Sequence, residues 1–449
     1  MQEGQSARIL PQSPPQPDID AGTHPQPMVL IWALVARSRF GQALAAIDFA
    51  LASLGPPMSV LPLVCVIYLL MLPVTGMVPV LHELTEGRYP ETSDLARHLF
   101  MSVNMIGALL AAPLAGLASD SLGRRVPLIA GALAVNGLAL LLIAGHWSYP
   151  VVLALRFVEG CAHMSALSLL MTLGADHGKR RGLGASMGAV GAAVSLGVAS
   201  GAPLGGWIGA AAATQVPWLG GWLMLALAVA VPFTLRDAPR ATERPSPERL
   251  LRELAANRML AVPYAFAFVD RLTVGFIVST FSLYLNAVLG LDARQIGLVM
   301  AAFLLPFSLF TYPAGRLCQR WDRLGMMIAG SVLYGVFLIA LGFAPAGAVA
   351  ALMAAGGVVA ALMYAPSLVL TAELAESAQR ASTLAGFNVA GSLGFALGPL
   401  VGGTLVGSAR AAGIDPYLPV FVIVGALEIL IALAMLPLWR RGLGRRQTD

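Results

Sequence analysis

From about residue 58 onward the chain is a succession of apolar runs of eighteen or more residues, separated by short polar connections. A helix rising 1.5 Å per residue crosses the ~30 Å hydrocarbon core of a bilayer in about that length. Repeated at this density, the pattern excludes a water-soluble globule. Such a surface needs far more charge than the 11% of charged residues found here beside 57% hydrophobic ones. Apolar and polar residues do not alternate as in strands, so the spans are helices and not staves of a barrel. The expected fold is an all-α polytopic membrane protein.

Twelve candidate spans fall at roughly 59–81, 99–119, 126–145, 149–174, 183–212, 216–235, 259–288, 295–316, 325–345, 347–372, 382–408 and 416–438. The only long connection is RDAPRATERPSPERLLRELAANR (236–258), polar and proline-containing. This spacing predicts two six-helix bundles, 58–235 and 259–438, joined by that linker and packed around a central cavity, with a basic tail at 439–449. Within the preceding segment 1–57, residues 1–27 are rich in Pro, Gln and Asp and read as an unfolded tail. The apolar run Met28–Ala36 follows Asp18 and Asp20 rather than basic residues, and it ends too early to span at Arg37 and Arg39. Residues 28–54 then form an interfacial helix, or translation starts downstream of them.

The basic residues set an orientation. With a cytoplasmic N-terminus, 22 of the 28 Lys and Arg residues fall on the cytoplasmic side, and Arg88, Arg97, Arg294 and Arg410 fall on the other. Arg156 and Arg271 lie within spans. This bias is the positive-inside rule, and it accounts for the net charge of +5 without any nucleic acid. Cys65, Cys161 and Cys318 are widely spaced and form neither a zinc pattern nor a disulfide framework, so no metal and no cofactor are expected.

The halves repeat. SLGVASGAPLGG (195–206) and SLGFALGPLVGG (392–403) agree at seven of twelve positions, 197 residues apart. Ala115, Gly116 and Arg124 find counterparts in Ala314, Gly315 and Arg323, 199 residues apart. Duplicated halves around a cavity are a transporter architecture.

GLASDSLGRR (116–125) joins the second and third spans. Gly116 permits close helix approach, and Asp120 can pair with Arg124 or with donors at a helix N-terminus. Gly116, Asp120, Gly123, Arg124 and Arg125 resemble the loop signature of the major facilitator superfamily, Gly-x-Leu-x-Asp-(Arg/Lys)-x-Gly-(Arg/Lys)-(Arg/Lys), with Ala118 and Ser121 departing from it. The resemblance covers about residues 58–440 and implies twelve helices and alternating access. It also implies a conformational latch in this loop. A second copy, GRLCQRWDRLG (315–325), keeps Gly315 and has Gln319 in place of Asp.

In the fifth span Gly188, Gly197, Gly201, Gly205 and Gly206 are similar to the antiporter motif of the family's twelve-helix drug:proton branch, with Pro203 one position late. That likeness favours efflux. The alternative for these glycines is tight packing of small residues. Many members of that branch carry an acidic residue in the first span, where YLLMLPVTGMVPV (68–80) has none. At the repeat offset, Asp270 falls opposite Met71.

A charge near the middle of a bilayer costs ~2.5–3.5 kcal/mol on insertion scales and needs a partner or a wet cavity. Arg156, Glu159, Gly160 and His163 share one stripe of the fourth span, related by i, i+3, i+4 and i+7. Arg156 cannot lose its charge, and Glu159, one turn away, is its nearest partner. The family's pattern here is Arg-x-x-Gln-Gly, associated with proton transfer, and Glu159 replaces the glutamine with a titratable group; Glu159 or Asp270 is the expected proton carrier, with Arg156 setting its affinity and His163 and Arg271 in the same coupling region. Asp270 and Arg271 lie in the seventh span; adjacent helical residues point about 100° apart and do not simply neutralise each other. Glu428 in the twelfth span reads as structural, and Asn104, Asn136 and Asn388 read as interhelical hydrogen-bond donors.

The expected function is a proton-coupled antiporter that exports a small organic compound across a bacterial inner membrane, with both termini cytoplasmic. The chain is expected to act as a monomer whose partners are substrate, protons and lipid, with no catalytic residues. Charges of both signs in the spans suit a polar cargo too, as in a metabolite or siderophore carrier. A non-transporting receptor or a membrane enzyme is the remaining class. An enzyme needs a nucleophile–base or metal-ligand constellation at a membrane face, and the sequence presents none.

Overall fold

The computed structural model describes residues 61–178, 183–237, 257–318, 320–375 and 380–441. All of them fall within one unit, Pro57–Asp449. The tail and interfacial helix expected within 1–57, most of the linker, Lys179 to Arg181 and residues 442–449 lie outside the described residues.

Among the described residues all regular structure is helical. The principal helices are α1 (Leu61–Gly76), α2 (Asp94–Leu122), α3 (Val126–Ala144), α4 (Tyr149–Gly178), α5 (Leu183–Gly209) and α6 (Gln215–Thr234). They continue with α7 (Ala261–Phe276), α8 (Ala293–Leu317), α9 (Arg323–Gly342), α10 (Ala346–Leu374), α11 (Arg380–Ala411) and α12 (Leu418–Ala434). A π-helical turn at Ile277–Phe281 and a short helix at Ser282–Ala287 extend α7. Eleven of these, α2 to α12 with their extensions, are long and apolar enough to cross a membrane, and α1, at 16 described residues, is shorter. α1 stops at Gly76 instead of near residue 81, and a single helical turn at Leu81–Leu84 follows Pro79, which lacks the N–H a continuing helix needs.

Local chemistry sets several helix ends. The Ser93 hydroxyl accepts from the Ala96 N–H and starts α2 five residues earlier than its apolar run, while Gly123, at φ 68°, closes it in the left-handed region. Asp292 and Gln295 form a capping box at the start of α8.

The helix pairings repeat. α1 packs on α5, α2 on α4, α3 on α4 and on α6; six helices later α7 packs on α11, α8 on α10, α9 on α10 and on α12. Pairings between the two sets exchange in the same way, α2 with α11 and α8 with α5. Glycines carry the repeat down to single residues. Gly197, Gly201 and Gly205 of α5 press on the backbone of α1 at Tyr68, Leu72 and Gly76. Gly394 and Gly398 of α11 press on the α7 backbone at Phe268 and Leu272, and Gly402 presses on Phe276 and Thr280. That register is 200 residues between α1 and α7, so Asp270 stands opposite Leu70 rather than Met71.

Contacts between the first and last six helices gather at one end. Gly206 meets the Ala293 backbone, Gly297 meets Ala202 and Pro203, and Gly403 meets His98. Arg410 pairs with Asp94 at 2.8 Å, and the Ser282 hydroxyl donates to the Val78 carbonyl at 2.7 Å. At the opposite end no hydrogen bond or ion pair among the described residues joins the two sets. Gly188 and Gly191 of α5 and Gly315 of α8 have nothing within 4 Å of an added Cβ.

These contacts separate two kinds of glycine. Gly205→Ala and Gly402→Ala are expected to lower thermal stability, each by about 1–3 kcal/mol of overpacking. Gly188→Ala is expected to leave it unchanged or slightly raise it. Thermal unfolding of the three variants in detergent checks the contrast.

Candidate functional site

Arg156 and Glu159 of α4 are 0% and 1% exposed. A guanidinium nitrogen of Arg156 donates to Glu159 Oε2 at 2.7 Å, and its Nε donates to the Phe100 carbonyl of α2 at 3.2 Å. The guanidinium lies 4.6 Å over the Phe100 ring, a cation–π arrangement. Met77 and Met101 place sulfur atoms 3.7 and 3.8 Å from its nitrogens. Glu159 also accepts from Asn104 Nδ2 of α2, and Asn136 of α3 donates toward both its side chain (3.4 Å) and its backbone carbonyl (3.3 Å). The charges therefore close on each other inside α2, α3 and α4. Gly160 makes this possible, since a Cβ there would strike the Asn104 carbonyl. His163, one turn on, is 5% exposed and makes no hydrogen bond to a described residue.

The second half keeps the crossing and changes its chemistry. Gly357 of α10 presses on the Phe303 carbonyl of α8 as Gly160 presses on that of Asn104. The counterparts of Arg156 and Glu159 are Met353 and Gly356, and the Phe337 ring fills the space over Gly356. Phe303, Tyr334 and Phe337 stack there in place of a polar knot.

Asp270 of α7 and Glu428 of α12 are 4% and 1% exposed, and their carboxyl groups lie within interaction range of each other. Neither Asp270 oxygen has a hydrogen-bond partner among the described residues, nor has Glu428 Oε2. Arg271 acts on Asp270 through space but forms no ion pair with it. Its guanidinium turns to Tyr364 of α10, 3.4 Å from the hydroxyl and 5.4 Å over the ring. Tyr334 of α9 borders the two acids and is itself buried, its hydroxyl in reach of the Thr273 hydroxyl but without a hydrogen bond of ordinary geometry among the described residues.

In the 116–125 loop, Gly116 is buried and Gly123 adopts the left-handed cap; the Asp120 side chain lies outside those described. Arg124 is exposed, and Arg125 forms an ion pair with Asp176 at the end of α4. Asp237, just past α6, accepts from the Arg125 and Val126 N–H groups at 2.7 and 3.0 Å, capping α3. The second half builds the same tie from other residues. Arg323 pairs with Glu373 at the end of α10 at 2.6 Å, and Asp322 caps α9 while accepting from Trp439 Nε1 at 3.0 Å. Asp176, Asp237, Asp322 and Glu373 sit at polar helix ends where any carboxylate is unremarkable, and only the fold pairs them.

The α5 motif divides by face. Gly197, Gly201 and Gly205 hold α1, while Gly206, with Ala202 and Pro203 beside it, meets α8; Gly188 is exposed and touches neither. Asn388 is exposed and donates only within its own helix, to the Leu384 carbonyl.

Breaking a buried pair on one side strands a charge and costs about 3–5 kcal/mol, whereas replacing both members is near neutral. Glu159→Leu is thus expected to destabilise strongly, and adding Arg156→Met, the residue found at the equivalent position, to recover most of the loss. A double-mutant cycle by thermal unfolding measures this, and additive losses would refute the closed pair.

The sequence profile described as the Major Facilitator Superfamily matches residues 63–269 and 264–447, once for each half. A triacylglyceride transporter of Mycobacterium tuberculosis and a probable one of Mycobacterium bovis are 30% identical over 173 residues, which is 37% of this chain. The match spans only 32% of those relatives' length. Among solved structures, the nucleoside transporter NupG aligns over 85% of this chain and 99% of its own, at 16% identity and a TM-score of 0.71. A bacterial homologue of the human lysosomal transporter Spinster, inward-facing and occupied, aligns over 85% and 96% at 14% identity and a TM-score of 0.73. A D-xylose-proton symporter reaches 0.65 at 17% identity, over 84% and 96%. At these identities the structures share the fold alone. The helical pairing, the repeated glycine crossings and the two profile matches together make this chain a member of the Major Facilitator Superfamily, a family of membrane transporters.

Proposed function

We propose that the chain is a proton-coupled secondary transporter that expels a small organic compound by alternating access. It works as a monomer in a bacterial inner membrane with both termini cytoplasmic. In this reading α1 is the twelfth span, and two six-helix bundles rock about the cavity between them. The orientation set by the basic residues makes the closed end, with Asp94–Arg410 and Gly206–Ala293, the outer face. The described conformation then opens inward, as in the Spinster homologue of similar fold.

The observation that carries proton coupling is Asp270, a buried carboxyl group whose oxygens accept from no donor among the described residues and face another carboxyl group, Glu428, while the neighbouring arginine is engaged by Tyr364. Such a group is costly to leave charged and is suited to taking up and losing a proton as its surroundings alternate. Glu159 is already satisfied by Arg156, Asn104 and Asn136, which makes it a structural element of the first bundle rather than the carrier. The α5 glycines, close to α1 on one face and α8 on another, support export through their likeness to the antiporter motif. The charges that suggested a polar cargo are paired or buried, and the partial likeness to triacylglyceride transporters favours an apolar one.

Aqueous and organic extracts of spent medium test direction and cargo together. Cells overproducing the wild type are expected to enrich at least one compound relative to cells producing Asp270→Asn. A compound depleted from the medium instead would mean import. In proteoliposomes, flux of that compound under an imposed pH gradient is expected to fall about tenfold or more in Asp270→Asn, with exchange down its own gradient retained. Glu159→Gln, if it folds, should keep gradient-driven flux; its selective loss would move the carrier to Glu159.

A further inference from the structure

The acids on α7 and α12 are buried against each other as a pair. Three of the four carboxyl oxygens of Asp270 and Glu428 accept from no donor among the described residues, the two acids meeting each other instead, and the fully buried Tyr334 hydroxyl has only the Thr273 hydroxyl in reach, without a hydrogen bond of ordinary geometry. Ser331 of α9 adjoins Glu428, and Thr273 of α7 donates its hydroxyl to the Asp270 carbonyl at 2.7 Å. The charged and titratable groups facing the pair are Tyr334 and Arg271, and the latter is held against Tyr364. Oxygen atoms from three helices thus converge on a buried spot whose neighbouring guanidinium, Arg271, is engaged by Tyr364, an arrangement the low dielectric makes costly if left empty.

A purely structural role does not account for these acids. The α9–α12 crossing at Gly335 and Gly425 repeats the α3–α6 crossing at Gly137 and Gly221. Carried through the repeat, Asp270 and Glu428 correspond to Leu70 and Met224, which are 1% and 0% exposed. The same packing is therefore built from two apolar residues in the first half, and the fold has no need of carboxyl groups there.

We propose that Asp270, Glu428 and Tyr334 form a binding site for one monovalent cation, a proton or a sodium ion, held between α7, α9 and α12. The inference rests on the transport reading and adds the ion's site, partners and stoichiometry to it. Bridging α7 and α12, the bound charge stabilises one arrangement of the second bundle, so ion and cargo need not compete for the same atoms.

The test uses the full-length protein in lipid nanodiscs, labelled with dicyclohexylcarbodiimide, which attacks protonated carboxyl groups in apolar surroundings, and mapped by mass spectrometry. In sodium-free acidic buffer Asp270 or Glu428 is expected to be labelled, with labelling lost as pH rises. Glu428→Gln is expected to shift the midpoint for Asp270 by about one pH unit or more, a tenfold change in proton concentration. Tyr334→Phe, the milder variant, is expected to shift it in a protein that folds as the wild type does. Replacing choline chloride by sodium chloride at fixed pH identifies the ion: protection by sodium marks sodium, and dependence on pH alone marks the proton. Labelling that is absent from both acids, or that is identical in wild type and both variants, overturns the shared site. Gradient-driven flux with such indifferent labelling would leave antiport standing without this site. Paired labelling without gradient-driven flux would leave the site standing and remove antiport.

Discussion

Backbone-to-backbone contact at glycine is the constraint on which the rest of this structure depends. In lipid no hydrophobic force draws helices together, so cohesion comes from close packing and from polar groups satisfied between helices. Gly160 against Asn104, Gly205 against Gly76 and Gly335 against Gly425 bring backbones together where any side chain would hold them apart. Each of these crossings has a counterpart in the other half. The duplication is preserved at the level of which positions touch across the crossing, even where side chains have diverged, as at Gly402, which meets the Thr280 and Phe276 side chains.

That divergence is where function can enter. Each half also buries charged residues at positions the repeat does not relate. The first half holds Arg156 and Glu159 in a knot with Asn104 and Asn136, and the second half has aromatic rings at the equivalent place. The second half holds Asp270 and Glu428 where the first has Leu70 and Met224. The knot pairs its two charges and surrounds Glu159 with donors, leaving Asn104 Oδ1 without a partner among the described residues. The acidic pair brings no positive charge of its own, and buried carboxyl oxygens without donors are a place where a small cation has large leverage.

Much of this was legible in the sequence because membrane burial leaves strong marks. Eleven spans were placed within a few residues of their helices, since apolar length decides them. The repeat was visible in SLGVASGAPLGG and SLGFALGPLVGG, and Arg156 could be expected to find Glu159 because i, i+3 residues share a helix face. What pattern could not supply was contact across the fold. Glu428 reads from the sequence as structural, and only the packing of α7, α9 and α12 brings it to Asp270. Asp176 and Asp237 carry no periodic signal; their pairing with Arg125 and the start of α3 appears when the helix ends meet. The early end of α1 was missed because Val78, Pro79 and Val80 continue its apolar run after the helix has stopped.

The central claim is that loading the α7–α12 acids biases which end of the molecule is open. Spin labels at Gly188 and Asn388, exposed on α5 and α11, report the open end directly through their distance distribution. Recorded in mildly acidic and mildly alkaline buffer, the wild-type distribution should shift between two populations, and the shift should vanish in Asp270→Asn. A distribution that ignores pH in the wild type, or that shifts equally in the variant, would contradict the account.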